Sequence, residues 1–316
     1  MASVRTAKKA AEKRGLREQI VLDYKKNKYI LFMAIPVFLW FVIFCYLPIF
    51  GIIIAFKDYS PGLGVIASPW AGLRHFKDFL SSTYTLRIFK NTLLLNLYGL
   101  LWGFPAPIIL ALLLNEIRCK SFKVGVQILS YMPYFISMVV VCGIVVNFTA
   151  SGGLISRLAA HFIGEEVNLL LYPRYYRSIY IASDLWQQVG WGSIIYMAAL
   201  AGIDQSLYEA ATIDGAGRLK QTWYVTIPGI MPTIIVLLIM RMGQVLNSGF
   251  EKTILLYNES TYDVADTIGS YTYRRGMVES NYSFSSAVGL FNSVINMLFL
   301  VAANKISRRV TESSLW

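Results

Sequence analysis

The polar residues that interrupt the long apolar stretches of this sequence are the ones equipped for chemistry. Asp184, Trp186, Gln187, Gln188 and Trp191 stand together at the start of one stretch, and Arg241, Gln244, Asn247 and Ser248 close another, with Glu251 just beyond. Asn292 and Asn296, one helical turn apart, mark a third. Amides, a hydroxyl, indoles and a guanidinium hold a polar solute by hydrogen bonds and flat faces. They are not a nucleophile–base set, and no such set stands elsewhere in the sequence. His75 and His161 lie far in sequence from any cysteine. Cys45, Cys119 and Cys142 have no metal-ligand spacing and are too few for a disulfide scaffold. A G-x-x-x-x-G-K-[ST] phosphate loop is absent. The expected role is binding and passage rather than catalysis, with no cofactor on the chain.

The elements that carry these residues follow from composition. The chain has 316 residues, 56% hydrophobic and 15% charged, with a mean hydropathy of +0.52. Soluble domains carry about 25% charged residues, so the composition argues strongly against an ordinary soluble enzyme. A helix needs about 20 apolar residues to cross a bilayer core. Runs free of Asp, Glu, Lys and Arg predict six spans, near 30–55, 92–114, 126–148, 183–203, 230–249 and 284–303. The uncharged run at 29–56 is too long for a buried core helix. It also exceeds the apolar region of a cleavable leader, about 7–15 residues.

Basic residues set the orientation, because Lys and Arg are retained on the cytoplasmic side. An even number of spans places both termini on one side. That side carries Arg5, Lys8, Lys9, Lys13, Arg14, Arg17, Lys25, Lys26 and Lys28 of the N-terminal tail. It also carries Arg118, Lys120, Lys123, Arg218, Lys220, Lys305, Arg308 and Arg309. The opposite side has fewer, spread over longer loops. Both termini are therefore expected in the cytoplasm. The net charge of +11 then reports membrane orientation and lipid contact, not nucleic-acid binding. The expected organisation is a basic tail at 1–28, a membrane domain at 29–304 and a cytoplasmic tail at 305–316.

The loop between spans four and five, 204–228, is the most informative segment. Ser206 and Glu209 have the spacing of a capping box that starts a helix. Ala210, Ala211 and Ala216 let a partner approach closely, and Gly215 permits a bend. Pro228 and Pro232 bracket re-entry, so the loop reads as a short helix, a bend, a second short helix and span five. Glu209-Ala210-Ala211, Asp214-Gly215-Ala216, Val225 and Ile227-Pro228 resemble the EAA loop of importer-type ABC transporter permeases. Val225 stands where Ile is usual there, and Ile227 where Leu is usual. Gly249-Phe250-Glu251, Leu256-Tyr257-Asn258, Tyr262 to Asp266, Tyr271 to Arg275, and Tyr282-Ser283-Phe284 with Gly289-Leu290-Phe291 look like the subgroup that imports oligosaccharides in bacteria. The resemblance covers nearly the whole chain after residue 28.

The resemblance implies an all-α integral membrane protein, type I importer permease-like, in the cytoplasmic (inner) membrane of a bacterium. It implies that Glu209, Ala210, Ala211, Asp214, Gly215 and Ala216 dock on a separate ATPase, which binds ATP and Mg. The implied partners are a second permease (a different chain), two ATPase subunits, an extracytoplasmic solute-binding protein and an oligosaccharide, moved by alternating access. Aromatic faces pack on sugar C–H surfaces and amides bond hydroxyls. Trp186, Gln187, Gln188, Trp191, Arg241, Gln244, Asn247 and Ser248 are therefore the pathway candidates. The tryptophans read equally as interface anchors, and Asn292 and Asn296 as helix–helix glue. Arg241 has two readings: a structural pair with Glu251 or Asp184, or a bidentate site for the carboxylate of an acidic oligosaccharide.

The outside loops are read more coarsely. Pro61, Gly62, Gly64 and Pro69 predict irregular structure over 57–90, and 154–163 suits an interfacial helix. A polar, tyrosine-rich loop covers 248–280. Two other functions fit a polytopic membrane protein. An ion-coupled carrier usually shows intramembrane carboxylates and paired halves, whereas here Asp184 stands alone. A non-transporting scaffold would not need polar faces on spans four and five.

Overall fold

A computed structural model describes residues 16–247, 249–311 and 315. The stretch 1–15, with five of the tail's basic residues, and the pathway candidate Ser248 lie outside the described residues. The described chain is helical throughout, with a single isolated antiparallel bridge, Lys57 to Trp70. In a bilayer each backbone N–H and C=O must find a partner within its own segment, and the helix is the open-chain form that achieves this.

Helix α1 (Leu16–Phe41) kinks at Asn27 and runs on through tighter and wider turns to Phe56. Pro48 and Pro228 both follow a turn widened to π spacing, Val42–Tyr46 and Thr222–Thr226. In each case the widened turn holds the carbonyl four residues back, which the proline ring would otherwise strike. An eight-residue helix α2 (Arg74–Ser81) precedes the second run, made of α3 (Thr85–Gly103) and α4 (Pro105–Glu116). The third run is α5 (Lys120–Tyr131), a short turn, and α6 (Met138–Thr149). Helix α7 (Leu154–Ile163) follows, then α8 (Pro173–Ala201). Next come α9 (Gln205–Ile213) and α10 (Arg218–Gln221), the latter continuing into α11 (Ile227–Met242). Three short helices, α12 (Phe250–Leu256), α13 (Tyr262–Ala265) and α14 (Ile268–Tyr273), lead to α15 (Tyr282–Thr311).

Among the described residues, four helical runs are long and apolar enough to cross a bilayer: Asn27–Phe56, Thr85–Glu116, Arg218–Met242 and Tyr282–Arg309. The third expected span is not one rod. Lys120–Phe135 and Met138–Thr149 meet at 102°. Such a break is tolerated at membrane depth where protein satisfies the freed backbone, and Gln187 Nε2 donates to the Ile136 carbonyl at 3.3 Å. Helix α8 is long enough, but Asp184, Gln187 and Gln188 make it too polar to rank with the four. The fifth span also differs from expectation. Its helix begins at Arg218, with no break at Pro228, and ends at Met242 rather than near 249.

Helix α8 is the hub, packing on α3, α4, α5, α6 and α11. Its first half buries Tyr176, Tyr180 and Ile181 against Leu95, Cys142, Val145 and Leu256. The other half buries Tyr196 and Leu200 against Ala111 and Ile230. Between membrane helices, packing and interhelical bonds replace the hydrophobic drive, and small residues allow close contact. At Gly190 the α8 backbone lies against Ser130 and Tyr131, leaving no room for a Cβ. A second cluster joins Phe79 of α2, Ile88 of α3, Leu246, Ile268 and Tyr271 of α14, and Phe284 and Val288 of α15.

The segments 57–90 and 248–280 are more ordered than glycine and proline content predicts. Of the 57–90 segment, only the part before Arg74 is mainly turns. The tyrosine-rich segment is knitted to α3 and α8. Asn91 Nδ2 donates to the carbonyls of Asp263 (2.9 Å) and Asp266 (3.1 Å), and accepts at Oδ1 from Arg177 (2.9 Å). Ion pairs Arg87–Asp263 (2.6 Å) and Arg274–Asp266 (2.7 Å) reinforce it. The expected amphipathic helix over 154–163 is present as α7.

Candidate functional site

Two places concentrate the candidate residues: a cavity beside α8, and the elbow between α8 and α11.

The cavity encloses about 480 Å³. Asn96 and Gly99 of α3, Pro107 of α4, Tyr180, Asp184, Gln188 and Trp191 of α8, Arg241 of α11, and Asn247 and Lys252 line it. Four of the eight pathway candidates therefore meet here: Gln188, Trp191, Arg241 and Asn247. Positions 184, 188 and 191 recur at helical spacing, so one face of α8 supplies a carboxylate, an amide and an indole. Trp191 stacks on Tyr134, ring centres 4.4 Å apart and planes 4° from parallel, with Phe135 edge-on at 5.7 Å. This fixes a flat aromatic surface on the cavity wall.

Arg241 sits in the last turn of α11, where the helix dipole favours a cation. Gly99 leaves space for it: a Cβ there would stand 3.3 Å from the guanidinium. Neither expected structural partner holds. Among the described residues no carboxylate pairs with Arg241, because Asp184 is engaged by Lys252. The Lys252 ammonium, 1% exposed, donates to the Tyr180 carbonyl at 2.9 Å and to Asp184 Oδ1 at 3.4 Å, and lies 4.6 Å from the Tyr180 ring centre. Lys252, assigned by sequence to an exposed loop, is thus part of the cavity wall. Its burial alone gave no signal in the sequence.

Asn247 is positioned by the last helix. Its Oδ1 accepts from Asn292 Nδ2 (3.0 Å) and Asn296 Nδ2 (3.1 Å), while Asn296 Oδ1 accepts from the Leu246 N–H at 2.9 Å. Asn292 and Asn296 thus tie α15 to the turn that follows α11, rather than to a second helix. The other candidates stand apart. Gln187 is buried and turned to the α5–α6 break. Gln244 is exposed in the turn after α11, outside the cavity wall. Trp186 lines a separate, apolar groove of about 440 Å³ with Phe148 and Ile155.

The elbow is built as a rigid projection. Its cap lies two residues before the expected one. Asp204, not Ser206, is the N-cap, and its carboxylate accepts from the Ser206 N–H at 2.9 Å. That bond, from the Ser206 backbone first and its side chain second, holds the Asp204 carboxyl below its ordinary value. A Schellman pair ends α9: the Ala216 N–H bonds the Ala211 carbonyl (2.9 Å) and the Gly215 N–H the Thr212 carbonyl (3.0 Å). Gly215 has φ +74°, where a side chain is strained. Gln221 Nε2 ties α10 back to Thr212 Oγ1 (2.9 Å) and to the Ala216 carbonyl (3.0 Å). Arg218 pairs with Glu116 at the end of α4 (3.2 Å). Helix α9 has no buried residue; Glu209, Ala210, Asp214 and Gly215 are exposed, and Ala211 and Ala216 half-buried. Leu207 and Ile213 are exposed apolar side chains on the same helix. The arrangement is a braced knob offered to another surface.

Residues 103–312 match the family described as binding-protein-dependent transport system inner membrane component. Protein LplB of Bacillus subtilis (strain 168) is 43% identical over 293 residues, 92% of each chain. The polygalacturonan/rhamnogalacturonan transport system permease protein YteP of the same organism is 40% identical over 305 residues, 96% of this chain and 95% of that one. The fold matches, at TM-score 0.85 and 40% identity, a chain of a bacterial ABC transporter involved in the import of the acidic polysaccharide alginate, covering 93% of this chain and 99% of that one. A crystal structure of the bacterial alginate transporter with alginate pentasaccharide-bound periplasmic protein matches at TM-score 0.84 and 40% identity, covering 93% and 98%.

Proposed function

The chain belongs to the family of binding-protein-dependent transport system inner membrane components, and from that premise we propose that it is the permease subunit of an ATP-driven importer of acidic oligosaccharides. The observation that carries the reading is the α8–α11 cavity. An arginine without a carboxylate partner among the described residues faces amides and a stacked indole there. A uronic acid offers the matching groups: a carboxylate for Arg241, hydroxyls for Gln188 and Asn247, and a C–H face for Trp191. The polygalacturonan/rhamnogalacturonan and alginate transporters that the chain resembles support the acidic assignment.

In this reading the chain crosses the bacterial cytoplasmic membrane six times, with 29–304 as the membrane domain. The bent pair α5–α6 and the polar helix α8 complete the four apolar runs, and both termini face the cytoplasm with the elbow. Polarity in α8 suits a helix that faces a wet path rather than lipid. The elbow docks Glu209, Ala210, Ala211, Asp214, Gly215 and Ala216 on a separate ATPase, which binds ATP and Mg. Because the elbow is continuous with α11, a push on α9 is delivered to the helix that carries Arg241. A second permease completes the path, and an extracytoplasmic binding protein delivers the solute. The complex, reconstituted in vesicles with binding protein, should take up an oligouronide only with ATP on the membrane face that carries the ATPases. Uptake driven by an ion gradient without ATP would overturn the reading.

A further inference from the structure

Resting on the reading of the α8–α11 cavity as the solute path, we propose that Lys252 sets its charge preference by neutralising Asp184, which leaves Arg241 as the cation a solute meets. The charged residues lining the described cavity are Asp184, Arg241 and Lys252. Their arrangement is unequal. Lys252 is sealed at 1% exposure, held by the Tyr180 carbonyl at 2.9 Å and seated over the Tyr180 ring. It is fixed in position and out of reach of a large solute. The Asp184 side chain is 32% exposed, so it borders the path with its charge visible. An uncompensated carboxylate there would repel a uronic acid and cancel Arg241 at the entry of the same cavity. A buried ammonium 3.4 Å away is the group that prevents this.

The pair is also topologically placed for the task. Lys252 belongs to α12, which packs its Thr253 and Leu256 inward and touches α6 and α14. Asp184 belongs to the hub helix. The neutralising charge therefore comes from the outside segment and not from a neighbouring turn of α8, where an i±4 lysine would itself face the path.

The test compares an oligouronide with its carboxyl-reduced, neutral counterpart of equal length, in competition for uptake by the whole complex in proteoliposomes. Lys252→Gln should lower the acidic-to-neutral ratio about tenfold, the factor that 1.4 kcal/mol of repulsion supplies. Asp184→Asn should raise the ratio, and the double variant should return it close to the wild-type value. Asp184→Asn keeps the Tyr180 carbonyl bond that seats Lys252, so it reports even where Lys252→Gln fails to assemble. A ratio unchanged in the single variants, in a wild type that prefers the uronide, overturns the proposal. A wild type that takes both sugars equally, or neither, instead overturns the function on which it rests.

Discussion

Gly190 of α8 stands against the Ser130 carbonyl of α5 with no space between the two backbones for a methyl group. A Cβ at Gly190 would also lie 2.9 Å from the Tyr131 nitrogen. Both obstacles are backbone, which cannot rotate away. Gly192, two residues on and so on the other side of the helix, instead meets the ring of Pro107 at 3.0–3.2 Å. Gly190→Ala is expected to push α8 off α5 at a cost of about 3 kcal/mol or more, at the upper end of overpacking penalties. Gly192→Ala should cost about 1 kcal/mol, the lower end. Thermal unfolding of the two purified variants checks the order; equal melting temperatures would remove α8–α5 contact as the determinant.

The elbow gives a second prediction. Gly215 holds φ +74° at the end of α9, where an L-residue with a branched side chain is strained by about 1–2 kcal/mol. Asn tolerates this region and Val does not. Gly215→Asn should retain a co-purifying ATPase, and Gly215→Val should lose most of it. Combined Glu209→Ala and Gly215→Pro should abolish retention. Full retention by the double variant would remove the elbow as the docking element.

How much of this was legible in the sequence follows from which forces are local. Apolar runs and the bend at Gly215 are read from neighbours in sequence; the bend and four of the six runs appear, the fifth with its ends shifted. The elbow's start was misplaced because Ser206–Glu209 and Asp204 both satisfy helix-start chemistry, and only geometry shows which carboxylate or hydroxyl reaches an N–H. The break at Ile136–Ser137 was invisible because the group that satisfies it, Gln187, is 51 residues away. The same holds for Lys252. Sequence places it in a polar loop, and its burial depends on Tyr180 and Asp184, 72 and 68 positions earlier. Asn292 and Asn296 were legible as residues that bond across the fold, but their target, Asn247 in the turn after α11, was not.

Asp204 yields a pH prediction with a definite sign. Its carboxyl is held below the ordinary value of 3.8 by the Ser206 N–H. A depressed folded-state value means the cap's contribution is present above the unfolded value and is lost as pH falls through the folded one. At neutral pH the Ser206 amide in Asp204→Ala should exchange hydrogen faster than in wild type. Acidification below the ordinary aspartate range should bring the two together. A difference that persisted there would assign the protection to something other than the ionised cap.

Arg241 carries the acidic part of the functional assignment and can be tested without disturbing the fold. It has no carboxylate partner among the described residues, and Gly99 gives its guanidinium room rather than a bond. Removing it therefore strands no buried counter-charge, unlike removal of Lys252. Arg241→Gln should leave the complex's melting temperature within a degree or two, since surface-like substitutions shift stability by about 0.5 kcal/mol. It should weaken uptake of an oligouronide by about tenfold to a hundredfold, the range of a charged hydrogen bond worth roughly 1.5–3 kcal/mol. Uptake of the carboxyl-reduced sugar should be unchanged. Arg241→Lys keeps the charge but not the two-pronged geometry, and should recover part of the loss. If acidic and neutral sugars are taken up alike by Arg241→Gln and wild type at equal stability, the guanidinium does not read substrate charge.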